Sequence, residues 1–205
     1  MTSAHKFFLG TLVLISCLAG SVASADDKKK RFLAWGKKVT PAFRTKVRKI
    51  AANLGVNASH LMTIMAFETN RSFSPKQTTK SSSAVGLIQF MPPTAKQLGT
   101  TSKKLKAMSA IKQLDYVEKY FKQFKKKKFK TLTDVYLAVL YPAAMGKSKN
   151  HVVFDGTSSS KRQRGYYLAN RLLDKDKDKK VQQREIAAFI HRYLKEGLKK
   201  GNVSE

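Results

Sequence analysis

Cysteine is nearly absent from this chain of 205 residues: Cys17 is the only one, so no intrachain disulfide framework and no thiolate metal cluster can form. Acids are scarce too, 13 against 41 lysines and arginines, which leaves a formal net charge of +28. A surplus of that size draws a protein to anionic partners without saying which. The four histidines, His5, His60, His151 and His191, form no H-x-x-H or H-E-x-x-H pattern, which argues against a zinc centre. After residue 25 no apolar run is long enough to span a bilayer. Internal repeats are missing and strand-like alternation is rare, so the expected class is mostly α.

What is present begins with a removable-looking start. Met1 to Lys6 carries one lysine and no acid, Phe7 to Ser16 is apolar, and Ala23-Ser24-Ala25 fits a small-residue cleavage site. Residues 1–25 therefore read as a secretory signal peptide, and the product as exported, in the periplasm or secreted. Leu14-Ile15-Ser16-Cys17 also resembles a bacterial lipobox, which would leave a lipoprotein anchored at Cys17 instead. Residues 26–39, opening with "DDKKKR", read as a basic linker. Residues 40–205 form one domain of a size that supports a core.

Helical signals dominate that domain. Thr40 with Pro41 reads as an N-cap and first helical residue, and Phe43, Val47, Ile50 and Leu54 recur at helical spacing before Gly55. Asn57 or Ser59 can cap a second helix through Leu61, Ile64 and Phe67. Pro92-Pro93 opens a short helix that stops by Gly99, and Ile111, Leu114, Val117, Phe121 and Phe124 stripe a longer one. The run 125–130, "KKKKFK", reads as an exposed basic segment. Val135 to Ala144 is apolar nearly all round, as a buried helix would be. Gly146 to Ser160 reads as a loop, and Tyr166 to Leu173 and Val181 to Leu198 as the last two helices.

Against this background one acid stands out. Glu68 closes the apolar run of the second helix, beside Met65 and Phe67. Burial disfavours the charged form of a carboxyl, and a helix C-terminus adds partial negative charge in the same direction. A carboxyl kept protonated near neutral pH can donate its proton to a leaving oxygen, as glycosidic cleavage requires. No Asp or Glu follows Glu68 until Asp115, so a close sequence partner for a two-carboxylate scheme is missing.

Three segments in order carry a resemblance: Glu68 with Phe73-Ser74-Pro75, then "GLIQFMPPTA" from Gly86 to Ala95, then Tyr141 within "LAVLYPAAMGK". Together they resemble the SLT-type lytic transglycosylases of the lysozyme-like superfamily, over roughly residues 43–146. Pro142 stands where that family has Asn after the Tyr. The resemblance implies a single lysozyme-like domain that cleaves the β-1,4 bond between N-acetylmuramic acid and N-acetylglucosamine in peptidoglycan and leaves a 1,6-anhydromuramoyl product. It implies Glu68 as general acid and then base, and Ser82, Gly86, Gln89 and Tyr141 as substrate-binding residues. No cofactor is required for that chemistry. The implied partners are peptidoglycan strands and other anionic envelope polymers. Nucleic acid is not expected, since no base-reading motif appears, and neither is a transmembrane helix; a monomer is expected. A hydrolytic lysozyme-type muramidase and a catalytically silent wall-binding module are the alternatives.

A second pattern lies near the C-terminus. "DKDKDKKVQQRE", residues 174–185, places Asp174, Asp176, Asp178 and Glu185 at positions 1, 3, 5 and 12 of a twelve-residue loop, with Val181 at position 8. This resembles an EF-hand loop, and the four carboxylates would suit a structural calcium ion. Lys179 stands at position 6 in place of the usual glycine.

Overall fold

The computed structural model describes residues 32–78, 83–124 and 129–205. The signal-peptide and Cys17 readings, His5, Ser82 and Lys125 to Lys128 lie outside those residues. Eight helices are formed by Pro41–Leu54 (α1), Ala58–Glu68 (α2), Pro92–Gln97 (α3), Ser102–Ala107 (α4), Ala110–Lys122 (α5), Leu132–Leu140 (α6), Lys161–Asn170 (α7) and Gln183–Gly197 (α8), counted among the described residues. One antiparallel pair of strands, Val152–Asp155 (β1) and Lys180–Gln182 (β2), completes the regular structure there. None of these helices is long and apolar enough to cross a membrane alone.

Local chemistry explains the helix limits. Thr40 Oγ1 accepts from Phe43 N at 3.3 Å and Pro41 supplies the first helical residue, so α1 starts where its missing N–H costs nothing. Gly55, at φ 66°, ends α1 in the left-handed conformation that a glycine adopts without strain. Asn57 Oδ1 caps α2 through Ser59 N at 2.8 Å. Thr131 and Asp134 form a reciprocal capping box on α6.

Helix α2 is the hub. Leu61, Met62, Thr63, Ile64, Met65 and Ala66 are all buried, so no face of it is left to solvent. It packs against α1, α6 and α8. The one polar residue in that run, Thr63, donates its hydroxyl to Ser59 O at 2.7 Å, which removes the penalty of burying it. A helix this enclosed holds its C-terminal residue, Glu68, on a rigid support.

Two expectations need correction. The basic linker, 26–39, does not extend through its described part. Leu33, Ala34 and Trp35 are fully buried, and a 3₁₀ turn follows at Gly36–Lys38. Leu33 pairs with Ser204 through both backbone bonds, at 2.7 and 3.1 Å, Trp35 N donates to Gly197 O, and Ser59 Oγ accepts from Ala34 N. The compact body therefore includes Leu33 to Trp35, and both ends of the described chain are stitched together. The loop expected from Gly146 to Ser160 contains β1, because Val153 and Phe154 bury against the core while Asp155 pairs with Lys180.

The turn after α2 is pinned from α8. Arg71 Nε and Nη2 contact Glu196 Oε1 and Oε2 at 2.7 and 2.8 Å, and the guanidinium lies 4.8 Å from the Tyr193 ring centroid. The pair is partly open to water, so Arg71→Ala is expected to lower stability by only about 1 kcal/mol. Equilibrium urea unfolding checks this.

Candidate active site

Glu68 opens into a cleft of about 560 Å³ lined by Phe67, Ile88, Gln89, Tyr136, Val139 and Asn170, among others. Four parts of the chain build it: the end of α2, the 84–91 loop, one face of α6 and the end of α7. Among the described residues, Glu68 is the only acid lining it. Burial raises its carboxyl from the ordinary 4.5 to about 8. Desolvation is the cause, so the group stays protonated at neutral pH.

The support beneath Glu68 is aromatic and rigid. Phe67 meets Tyr136, Phe189 and Tyr193 edge to face, at ring separations of 5.5, 5.3 and 5.1 Å. Thr69 Oγ1 donates to Met65 O at 2.6 Å and accepts from Phe73 N at 2.9 Å, closing the helix and starting the next turn. Asn70, Arg71 and Phe73 take left-handed backbone, at φ 46°, 69° and 51°. For residues other than glycine this is strained. The chain thereby turns away at once and leaves the carboxyl facing the cleft.

The 84–91 loop brings Gln89 to the same cleft. Val85 and Phe90 exchange backbone hydrogen bonds at 3.0 and 2.9 Å, and Gln89 sits at φ 50°. Its Nε2 donates to Gln77 O and Gly86 O, at 3.2 and 3.0 Å. Its Oε1 is buried and receives no hydrogen bond. With the amide nitrogen anchored, this oxygen is held as an orphaned acceptor closed off from solvent.

Gly86 has a different part from the one expected. At φ 84° it needs a glycine, and a Cβ there would overlap the side-chain amide of Gln113. Gln113 is fully buried, accepts from Leu87 N at 2.7 Å, and donates to Pro75 O and Leu105 O. The close approach at Gly86 is thus to the protein itself, and the residue is not among those lining the cleft. Gly86→Ala is expected to lower stability by about 2 kcal/mol through backbone strain and the displaced amide. A fall in melting temperature with normal helix content measures it.

Tyr141 also departs from expectation. Its ring packs against Phe154 and Tyr166, at 5.4 and 5.9 Å, and it is not among the lining residues. Pro142 ends α6 at Leu140 and sends the chain into a 3₁₀ turn, which carries Tyr141 toward β1. Tyr136 lines the cleft in its place, and the Glu68 charge helps to raise its hydroxyl pKa, after burial. Tyr120 responds likewise, pushed up to about 12, with its hydroxyl donated to Ala138 O at 2.6 Å. The sequence held a signal for this wall: Tyr136, Val139 and Leu140 are spaced i, i+3, i+4 and all face the cleft.

The C-terminal loop gathers carboxylates. One oxygen from each of Asp174, Asp176 and Glu185 lies within 4.8 Å of the others. Asp178 is outside that group and accepts from Lys180 N at 2.7 Å, which corrects the expected set of four. Glu185 is 5 % exposed and accepts from Lys175 N and Gln182 N at 2.6 and 2.8 Å. Asp174 Oδ2 accepts from Tyr167 Oη and Lys179 N, while its Oδ1 is sealed from solvent and receives no hydrogen bond. Lys179 adopts φ 66°, the conformation a glycine usually supplies at that position. An all-oxygen donor set with one orphaned oxygen fits a hard divalent cation.

A helical body holding one desolvated carboxyl in a cleft, with the Gln89 side chain also lining it, is of the lysozyme-like class. The profile of the Transglycosylase SLT domain family matches residues 46–150, half of the chain, and the chain belongs to that family. Membership assigns it a transglycosylase-type activity on peptidoglycan. None of the curated proteins compared matches this sequence.

Proposed function

We propose that this chain is an exported lytic transglycosylase that cuts the β-1,4 bond between N-acetylmuramic acid and N-acetylglucosamine, with Glu68 as its one acid–base group. The observation that carries this reading is the solitary, desolvated carboxyl: Glu68 lines the cleft, no second acid among the described residues does so, and burial keeps it protonated.

Glu68 donates its proton to the glycosidic oxygen as the bond to C1 of the muramoyl residue breaks. The carboxylate so formed then takes the proton from the C6 hydroxyl of that same residue, whose oxygen closes onto C1. Atoms balance without water, the products being a free 4-hydroxyl and a 1,6-anhydro end. A single carboxyl serves both steps because the nucleophile is tethered to the reacting sugar. Two-carboxylate hydrolysis needs a second acid to activate water or to attack C1. Gln89, Tyr136 and Asn170 line the cleft around Glu68 and flank the sugar. No cofactor enters these steps.

Purified sacculi digested with the enzyme and analysed by mass spectrometry are expected to yield anhydromuramoyl ends. Reducing muramic ends would instead identify a hydrolase, and no released fragments would identify a silent wall-binding module. The +28 charge supports capture of anionic wall polymer, so binding to sacculi is expected to weaken as salt rises.

A further inference from the structure

The matched family span ends at residue 150, yet one wall of the cleft comes from beyond it. Ala169 and Asn170, at the end of α7, line the space into which Glu68 opens. Asn170 Nδ2 donates to Tyr166 O at 2.9 Å, which ties its side chain to the last turn of the helix. Tyr166, Ala169 and Asn170 are spaced i, i+3 and i+4, so they share one face of α7. The face that walls the cleft at Asn170 therefore carries Tyr166 one turn farther on. That step is about 5.4 Å, comparable to one pyranose unit of a glycan strand.

Tyr166 and its neighbour Tyr167 have different surroundings. The Tyr167 ring fills the space where Gly156 lacks a Cβ, and its hydroxyl donates to Asp174 Oδ2 at 2.8 Å, so it fastens α7 to the body. The Tyr166 ring lies 5.9 Å from that of Tyr141 and 6.1 Å from that of Phe154, which are themselves in contact. The end of α6, strand β1 and α7 thus each give one ring to a single cluster. Phe154, 2 % exposed, is its buried member, and Tyr166, 37 % exposed, is its outer one. Angled aromatic contacts hold the outer ring in place and still leave part of it in water. The result is a fixed, partly open aromatic surface continuous with the cleft wall.

We propose that Tyr166 is the platform of a further sugar subsite, on which the glycan strand lays the apolar C–H face of the pyranose next to those held around Glu68. The assignment rests on the reading of the cleft as a glycan site. Continuity sets the occupant: a strand that runs past Asn170 along this face of α7 meets Tyr166 next. Covering the open part of the ring with a C–H face removes apolar surface of both partners from water. Because Tyr141 and Phe154 already hold the ring, little rotamer freedom is lost when a sugar covers it. Tyr166 does not touch the reacting bond, so its effect falls on binding and not on the chemical step.

A length series of soluble glycan oligomers, built of the same disaccharide repeat, tests this by binding and by turnover. Calorimetric titration of full-length protein carrying Glu68→Gln reads affinity without cleavage, and steady-state kinetics of the active protein give KM and kcat. Affinity is expected to rise with length until an oligomer reaches Tyr166, and then to level off. Tyr166→Ala is expected to weaken binding of the long oligomers by about tenfold, with a matching rise in KM, the same kcat and a much smaller effect on the shortest oligomer. Tyr166→Leu keeps an apolar cover over Phe154 without a flat ring and is expected to show the same length-dependent loss. Tyr166→Phe keeps the ring and is expected to retain the long-oligomer affinity.

Unchanged long-oligomer affinity in both Tyr166→Ala and Tyr166→Leu would overturn the subsite. An equal loss at every length, a fall in kcat, or a loss in Tyr166→Phe as large as that in Tyr166→Ala would also overturn it, since each marks a structural support and not a sugar platform. Because the titrations need no bond to be cut, failure of the cleavage reading and failure of the subsite give separate results. Oligomers that bind with the expected length dependence but are never cleaved would remove the first and keep the second.

Discussion

Glu68→Gln is expected to reduce release of glycan fragments by about a thousandfold or more, since the proposed mechanism routes both proton transfers through this one group. The variant keeps the shape of the side chain and loses only the titrating proton. Phe67 remains seated among Tyr136, Phe189 and Tyr193, and Thr69 still closes α2, so the cleft is preserved. Binding to sacculi is accordingly expected to be unchanged, which separates lost chemistry from lost recognition. Rate against pH gives a second view of the same group. The donor must carry its proton when substrate binds, so kcat/KM of the wild type is expected to hold up to about pH 8 and to fall tenfold per pH unit beyond it. Normal turnover by a folded Glu68→Gln protein would remove Glu68 from the reaction.

The same substitution is expected to stabilise the fold. In the unfolded chain this carboxyl ionises near its ordinary 4.5, but in the folded state only near 8. Its contribution to stability is therefore fully present below about pH 4.5 and is lost as pH rises through 8, because the unfolded state alone gains from ionising. Glutamine has no such proton to lose. At pH 7 the variant is expected to be more stable than the wild type by up to about 3 kcal/mol, and near pH 4 the difference should close. Urea unfolding of both proteins at the two pH values tests this.

Much of the scaffold was readable from local signals. Thr40-Pro41, Asn57 and Gly55 act through contacts with their immediate neighbours, and the helix limits they set appear in the structure. Glu68 was readable because it closes an apolar run, and desolvation by burial is what raises its carboxyl. What escaped was decided by distant partners. Leu33 to Trp35 look like the end of a charged linker until Ser204 and Gly197 supply the other half of their hydrogen bonds. Gly86 suggests an approach by substrate, yet the space is taken by Gln113, twenty-seven residues on. Tyr141 follows the family order, but the proline behind it redirects the chain, and Tyr136 takes the cleft. The α7 wall has no local signature, since Ala169 and Asn170 matter only through where the strand pair holds them.

Titration of the Glu68 carboxyl in the folded protein reads its proton without any substrate present. Carbon-13 NMR of protein labelled at glutamate Cδ, with Glu68→Gln to assign the signal, reads that proton alone. A midpoint near pH 8 is the expected result. A midpoint between about 4 and 5, the ordinary range for an exposed glutamate, would contradict it.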